Sequence, residues 1–486
     1  MRGALKRMSN AENIRVKIKK WDFRPVIIIF GIYLTAYLSI FRADFNYLDD
    51  LGRKHTGYHG WLDWSRWFTQ VVSNFVHADL YLADISPLPQ MIACFLMAAG
   101  SWILLLTFKK KKTIRLGNIL AASLVGVTPY FLGIISYKYD SPYMAFSFFI
   151  STVPFLLYKK SKVIYMAGSF ICLILMCTSY QASSGVYPLI VLFLAGYEWN
   201  TEGKVRECIG FIGCSAFSYI LALGTYWMLL MRPNGVSTLS WDHFLTGVIQ
   251  KYTSFYSKVK TDFKEIWLVL IVVLVLLFLI SFIAGSGVNK VLSGIAGLVM
   301  AVVGSAMTFG MYLMIDLEKY DARAMYAFGV YLALLAVSIS FSDIHYSVRY
   351  IHVLLFWCFF TFSLAYGNAL SSQKSYLDYR VLLVADDLNS LDVMKTDEKK
   401  KIQINGDIGL APVIQNMSSG YEMLERLIPT GMGEGYWGGY YLLHYFNIPN
   451  IEQGEGMKTE EMELLCDSMY HTIYGEGNNI LVVLKQ

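Results

Sequence analysis

The sequence predicts a polytopic α-helical membrane protein with about 11 transmembrane helices and a C-terminal extracytoplasmic domain of mixed α/β structure. Three observations lead to this fold class. The 486-residue chain is 55% hydrophobic and only 16% charged, whereas a soluble domain has roughly 25% charged residues. Long uncharged runs recur between residues 25 and 373. Residues 369–486 hold 9 Lys and Arg against 17 Asp and Glu, a net charge of −8, which leaves +13 for residues 1–368.

The N-terminal segment, residues 1–24, contains eight Lys or Arg and two acidic residues. Because positively charged segments stay on the cytoplasmic side of a membrane, this composition predicts a cytoplasmic N-terminus. The apolar run that follows has no small-residue cleavage site behind it, so we expect an uncleaved first helix.

The apolar runs define the transmembrane domain, residues 25–373. A spanning helix needs ~20 largely apolar residues. The run 163–197 is too long for one helix and contains the polar turn TSYQASSG at 178–185, so we expect two helices there. Lysine-rich segments, such as KKKKTIR at 109–115, follow the spans that end on the cytoplasmic side. The uncharged runs are 25–41, 85–108, 116–137, 141–158, 163–197, 208–231, 266–289, 291–315, 324–341 and 351–373.

Three larger segments are expected on the outer side, given a cytoplasmic N-terminus and an odd number of spans. They are loop 42–84, loop 232–265 and the tail domain 374–486. Within the tail, YRVLLVADDL (379–388) predicts a strand that leads into a turn, and NNILVVLKQ (478–486) predicts a closing strand. TGMGEGYWGGYY (430–441) predicts a glycine-rich turn.

Loop 42–84 contains the acidic pair Asp49 and Asp50, and its aromatic residues recur at helix-like spacing. This pattern predicts an amphipathic helix at the membrane interface. A carboxylate at that depth can accept a proton from a sugar hydroxyl, provided that it lies within hydrogen-bond reach of the attacking oxygen. The alternative is a solvated loop with an aromatic anchor, in which the acidic pair faces water.

If the sugar that reacts at this depth is carried on a lipid phosphate, that phosphate is the leaving group and requires positive charge. The candidates for this charge are Arg53, Arg66, Arg323 and Lys319. The alternative for Arg323 is a side chain that snorkels to the interface. The segment YKYDSPY (137–143) either lines a substrate cavity or is an ordinary helix connection. No metal-ligand pattern is visible, and a phosphate already carried by a lipid can leave without a divalent ion, so no cofactor is expected. The candidate cavity residues are Tyr47, Trp61, Gln90 and Asp140.

The motifs YLDDLGR (47–53), SR (65–66) and DISPLPQ (84–90) together resemble the bacterial GtrII-type glucosyltransferase family, with weaker similarity as far as DARAMYAF (321–328). The resemblance implies a GT-C fold in the cytoplasmic membrane. It implies transfer of a hexose, most often glucose, from a polyprenyl-phosphate donor to a cell-surface polysaccharide or lipid-linked glycan on the outer face, with inversion. It also implies Asp49 as the base with Asp50 second, and Arg53 and Arg66 as contacts of the donor phosphate.

A lipid-linked glycan flippase or another transporter is the competing hypothesis. Transporters tend to contain paired repeats and charges at mid-membrane depth, and neither is visible in this sequence. A sensor would need a cytoplasmic output module, whereas the predicted cytoplasmic loops are short. The sequence therefore favours an enzyme whose partners are the lipid-linked sugar donor, the glycan acceptor and membrane lipid, without nucleic acid.

Overall fold

The computed structural model of the chain describes residues 22–232, 237–315, 321–434 and 438–486. Nearly all of the predicted cytoplasmic N-terminus lies outside the described residues, and so does Lys319. A bundle of apolar helices is followed by a small sheet. The helices of the described ranges are α1 Arg24–Ala36, α2 Leu38–Ala43, α3 Asp50–Thr56, α4 Trp67–His77, α5 Leu88–Phe108, α6 Leu116–Val127, α7 Pro129–Ile135, α8 Ser141–Thr152, α9 Lys162–Cys177, α10 Val186–Glu202, α11 Val205–Thr225, α12 Phe244–Asp262, α13 Glu265–Ala284, α14 Lys290–Met307, α15 Ala327–Ser340, α16 Tyr346–Arg349, α17 His352–Ser390, α18 Pro412–Ser418, α19 Met423–Leu427 and α20 Gly438–Tyr445.

Local sequence explains several helix boundaries. Ser161 begins α9, because its hydroxyl accepts a hydrogen bond from the backbone N–H of Ile164 at 3.3 Å. Asn289 caps α14 in the same way, and both residue types are favoured N-caps. Helix α10 ends at Gly203, which has a φ of +67°, the left-handed conformation that glycine adopts without a steric penalty.

Five helices within the described ranges are long and apolar enough to cross a membrane, namely α5, α11 with its continuation to Leu230, α13, α14 and α17. The pair α6 and α7 is bent by 60° and would form a sixth span. The bend lies at Pro129, whose ring cannot continue the helix hydrogen bonding. Other apolar helices, such as α1, α9 and α15, are shorter. The chain is thus largely helical with several apolar spans, and the total of 11 stays a prediction.

The predicted break in the run 163–197 is confirmed. Helix α9 ends at Cys177, a 3-10 turn covers Gln181–Gly185, and α10 begins at Val186. A Cβ atom at Gly185 would lie 2.1 Å from the carbonyl oxygen of Met307. Glycine therefore allows this turn to pack closely against the end of α14.

The two ends of the bundle differ in chemistry. At one end, the lysine-rich loop after α5 forms two ion pairs. Lys112 pairs with Asp343, in the loop after α15, at 2.6 Å, and Lys110 pairs with Glu202, the last residue of α10, at 3.8 Å. At the other end, the segments expected outside meet each other. The Tyr47 hydroxyl donates to the carbonyl oxygen of Leu427 at 2.8 Å, so loop 42–84 contacts the tail directly.

The tail contains a five-stranded sheet in the order β2-β1-β5-β4-β3. Strand β1 is parallel to both β2 and β5, while β4 is antiparallel to β3 and β5. The predicted closing strand is confirmed as β5. The strands are β1 Lys400–Asn405, β2 Ile451–Gln453, β3 Glu463–Asp467, β4 His471–Glu476 and β5 Asn479–Leu484.

The predicted strand at 379–388 is wrong, because these residues belong to the 39-residue helix α17. The buried positions Leu377, Val381, Val384 and Leu388 recur at intervals of three and four, which is the period of a helix and not of a strand. The helix also continues through residue 373, at the expected border between the two domains.

Two other local predictions also differ from the structure. Loop 42–84 does not form one amphipathic helix but contains α3, a 3-10 turn at Leu62–Trp64 and α4. The expected glycine-rich turn at 430–441 leads into helix α20, and residues 435–437 lie outside the described residues.

The end of α17 is fixed to the tail by side chains that are buried in it. The Gln373 side chain donates to the carbonyl oxygens of Gly409 and Thr430 at 3.2 and 3.1 Å. The guanidinium of Arg380, which is 1% exposed, donates to the carbonyl oxygens of Ile408 and Tyr470 at 3.3 and 2.8 Å. The sheet is therefore held directly on the helix and not on a flexible linker.

Candidate active site

Asp49 and Asp50 lie where a tight turn enters helix α3. The Oδ2 atom of Asp50 accepts hydrogen bonds from the backbone N–H groups of Tyr47 and Lys138, both at 3.0 Å. Asp50 is completely buried, whereas Asp49 is only partly buried. Because successive helical positions are about 100° apart, the two carboxylates point to different surroundings.

The environment of Asp50 favours its protonated form. Burial raises the pKa of Asp50 to about 8, nearby Asp140 raises it as well, and the two backbone hydrogen bonds oppose this change. Its Oδ1 atom has no hydrogen-bond partner among the described residues. At neutral pH this carboxyl is therefore largely neutral, and its evident role is to accept the two N–H groups that close the turn.

Asp49 has a different environment. Within the described ranges its carboxylate forms no side-chain hydrogen bond or ion pair. Burial raises the pKa of Asp49, and the negative charge of Asp140 acts in the same direction, while Arg323, Arg53 and Arg66 oppose it. The result is a partly exposed carboxylate with a raised pKa that lies in the field of three guanidinium groups.

Arg66 and Arg323 approach the Asp49 region from two other parts of the chain. The guanidinium of Arg66 lies 5.0 Å from the ring centre of Tyr180, and its buried Nε atom has no hydrogen-bond partner among the residues described. The guanidinium of Arg323 lies 5.1 Å from the ring centre of Tyr137 and donates to the hydroxyl of the same tyrosine at 2.6 Å. Tyrosine rings thus hold two arginines, the residue type best suited to bind a phosphate through paired N–H groups.

Arg53 is already occupied by protein groups. Its Nε atom lies 3.1 Å from the Asp140 carboxylate, and its guanidinium stacks 4.4 Å from the ring centre of Trp61. The Trp61 Nε1–H donates to Asp140 at 2.5 Å, and Arg53 also donates to the carbonyl oxygen of His59. Arg53, Trp61 and Asp140, all at most 5% exposed, form a closed cluster that fixes the loop after α3.

A cavity of about 490 Å³ has Gln90 and Lys138 in its wall, and the backbone N–H of Lys138 donates to Asp50. Lys138 extends into it and forms ion pairs with Asp44 at 2.5 Å and Asp84 at 3.6 Å. Lys54 lies 3.3 Å from Asp84. Burial alone would raise the pKa of Asp84, but Lys138 and hydrogen bonds from its loop outweigh burial and lower the pKa to about 2. The cavity therefore contains a nearly neutral network of charged groups.

The structure brings together some of the predicted site residues and separates others. The charges of Arg66 and Arg323 act on Asp49, while Arg53, Trp61 and Asp140 pair with one another. Tyr47 contacts the tail, and Gln90 donates to the carbonyl oxygen of Ile135 at 3.0 Å in the wall of the cavity. In the part of the chain that the structure describes, no group of three or more His, Cys, Asp or Glu could hold a metal ion, and independence from a cofactor stays a prediction.

The sequence assigns no role to the tyrosines that position the two arginines. Tyr137 belongs to YKYDSPY, for which a cavity wall and a helix connection are the two alternatives, and Tyr180 belongs to TSYQASSG, which is expected to break the helix. The combination of an aromatic residue with polar neighbours at the end of an apolar run is the signal that could have identified them.

The part of the chain that resembles known proteins contains these candidate site residues. Residues 38–339 match the family described as Glucosyl transferase GtrII. An uncharacterized 55.3 kDa protein in the gtrB 5′ region of Salmonella phage P22 is 23% identical over 429 residues, which is 84% of this chain and 85% of that protein. No solved structure matches. Because the family match covers more than half of the chain and contains Asp49, Arg66 and Arg323, the chain belongs to the GtrII glucosyl transferase family.

Proposed function

We propose that the protein is a membrane glycosyltransferase that transfers a hexose, glucose in the first place, from a polyprenyl-phosphate donor to a cell-surface glycan. The reaction takes place on the outer face of the bacterial cytoplasmic membrane and inverts the anomeric carbon. The observation that supports this most strongly is the partly exposed Asp49 carboxylate in the field of Arg66 and Arg323. Within the described residues Arg66 forms no ion pair, and Arg323 pairs with Asp321 at 3.8 Å.

The chemistry assigns one role to each of these groups. Asp49 accepts the proton of the acceptor hydroxyl while that oxygen attacks the anomeric carbon of the donor sugar. The bond between the anomeric carbon and the phosphate oxygen breaks, and polyprenyl phosphate leaves with the electron pair. Arg66 and Arg323 stabilise the negative charge that develops on the departing phosphate. No metal is required in this scheme, because the guanidinium groups supply the positive charge.

The remaining candidates act by positioning. Protonated Asp50 holds the turn that presents Asp49, and the cluster of Arg53, Trp61 and Asp140 holds the following loop. Tyr47 fixes the same turn to the tail. Gln90 is a wall residue of the substrate cavity. Lys319, which lies outside the described residues, is a further cation for the phosphate.

A transfer assay with matched variants tests this proposal. Membranes that contain equal amounts of wild type, Asp49→Asn or Asp50→Asn are supplied with radiolabelled polyprenyl-phosphate glucose, and transfer to glycan and release of polyprenyl phosphate are measured. Removal of a general base typically lowers the rate 10²–10⁴-fold, so we expect that loss for Asp49→Asn, while Asp50→Asn retains most of the transfer. Asp63→Asn, at an exposed position of the same loop, is the control.

Two outcomes would contradict the proposal. Near-normal transfer by Asp49→Asn would mean that the base lies elsewhere. A wild-type protein that moves the labelled lipid across the membrane without releasing polyprenyl phosphate would be a transporter.

A further inference from the structure

A second cavity lies in the tail, outside the residues that match the family. Its volume is about 330 Å³, which is within the range of small-ligand sites. It is formed at the carboxyl ends of the parallel strands β1 and β2. The sheet therefore contains a pocket that the chemistry proposed for Asp49 does not use.

The cavity is lined by side chains that exchange hydrogen bonds with hydroxyl groups. Amide groups can donate and accept, and carboxylates accept. No Lys or Arg is present among the described lining residues, and Glu434 and Glu455 are acidic. The lining side chains therefore disfavour a phosphate or a carboxylate and suit a ligand whose hydroxyl groups donate hydrogen bonds. The polar side chains of the lining are those of Gln403, Asn405, Glu434, Gln453 and Glu455.

Several of these groups are held in place before any ligand binds. The Gln403 amide donates to the Asn405 side chain at 2.8 Å and accepts from the backbone N–H of Met457 at 2.7 Å. The ring of Tyr440 forms part of the wall, and its hydroxyl donates to the carbonyl oxygen of Ile451 at 3.1 Å. Fixed amides beside an aromatic ring suit a pyranose, which combines an apolar C–H face with a surrounding set of hydroxyl groups.

Helix α20 connects this cavity with the loop that carries Asp49. Tyr440 lines the cavity, while Tyr441 and His444 of the same helix contact His55 of α3, with ring centres 5.3 and 5.2 Å apart. Helix α3 begins at Asp50. A sugar chain held against Tyr440 would therefore lie next to the helix that packs on the proposed catalytic loop.

We propose that this cavity binds one neutral sugar unit of the acceptor glycan. The assignment to the acceptor rests on the proposed glycosyltransferase function, whereas the preference for a neutral sugar rests on the lining of the cavity alone. Binding at this position would hold the acceptor on the enzyme while another of its sugar units reaches Asp49.

The test is a binding measurement on the full-length protein in lipid nanodiscs prepared without sugar-headed detergent. Saturation-transfer NMR is recorded with the methyl glycosides of glucose, galactose, mannose, rhamnose and N-acetylglucosamine. We expect at least one of them to bind wild type, and the double variant Glu434→Ala/Gln453→Ala to bind it about tenfold more weakly. Glu463→Ala, at an exposed position on β3 at the opposite edge of the sheet, is the control and should bind like wild type.

The proposal is overturned if none of the glycosides binds wild type, or if the double variant binds as well as wild type does. It is also overturned if Ca²⁺ or inorganic phosphate binds at the cavity and the glycosides do not. Equal melting temperatures of the variants would exclude a folding defect, since both altered side chains are exposed.

The same samples separate this proposal from the proposed function. Asp49→Asn should keep glycoside binding and lose transfer, and the double variant should show a higher KM for the acceptor with little change in kcat. Pocket-dependent binding in a protein without any transfer activity would refute the glycosyltransferase assignment and leave the sugar site standing.

Discussion

Replacement of Asp50 by Asn should change how the stability of the protein depends on pH. In the folded protein the pKa of Asp50 is about 8, compared with an ordinary value of 3.8. Between these two pH values the folded state holds a proton that the unfolded chain has released. The free energy of unfolding therefore falls as the pH rises through this range.

The structure allows the size of this effect to be calculated. Each pH unit between the two pKa values contributes about 1.4 kcal/mol, which amounts to about 2 kcal/mol between pH 6 and 8 after allowance for partial ionisation near pH 8. The Asn variant has no proton to lose, and its amide oxygen can still accept the N–H groups of Tyr47 and Lys138. We therefore expect the free energy of unfolding of the variant, relative to that of wild type, to rise by that amount from pH 6 to pH 8.

The assay is thermal or denaturant unfolding of both proteins, followed by tryptophan fluorescence at pH 6, 7 and 8. Asp63→Asn, at an exposed position in the same loop, serves as the control for loss of a carboxylate and should follow wild type. Parallel pH profiles for wild type and Asp50→Asn would refute the reasoning, because they would mean that the ionised carboxylate is not penalised in the folded state.

Three further predictions concern a buried ion pair, a close helix contact and the attachment of the tail to α17. Arg53→Met leaves the Asp140 carboxylate buried without its cation, which should destabilise the protein by about 3–5 kcal/mol; an unchanged melting temperature would contradict this. Gly367→Ala should lower the melting temperature because its Cβ would lie 2.5 Å from the backbone nitrogen at position 40. Gly213→Ala should not lower it, because nothing lies within 4 Å of its Cβ. Equal effects of the two substitutions would refute the close approach of α17 to α2. Arg380→Met removes donors from carbonyl oxygens of the tail, so limited proteolysis should cleave the sheet faster while the helix bundle stays intact, and an unchanged cleavage rate would contradict that role.

Features that depend on composition and on local sequence could be predicted. The break at 178–185 was visible because a polar turn interrupts an apolar run, and the strand at the C-terminus because β-branched and apolar residues follow a turn. The strand predicted at 379–388 is wrong, since a short apolar run such as VLLV suits a strand and a buried helix equally well. Their helical period becomes evident from the burial of Leu377, Val381 and Val384 in the structure.

The candidate site could be predicted in part. The motif YLDDLGR identified Asp49 and Asp50, but the difference between them arises from burial and from the backbone N–H of Lys138, which is 88 residues away from Asp50 along the chain. The pairing of Arg53 with Asp140 likewise joins residues 87 positions apart. Sequence spacing contains no information about such contacts, and for that reason the sequence alone predicts Arg53 as a phosphate contact.

The uninterrupted helix α17 has a consequence for how the chain can vary. Its 39 residues extend over about 58 Å, at about 1.5 Å per residue, while the apolar core of a membrane is about 30 Å thick. The length of the helix therefore sets the distance between the sheet and the membrane. Insertion of a single residue would raise the sheet by about 1.5 Å and also rotate it by about 100°, which would turn α20 away from α3. Length changes in this helix should therefore be poorly tolerated, because even seven residues, two full turns that keep the rotational phase, would raise the sheet by about 10 Å and separate α20 from α3.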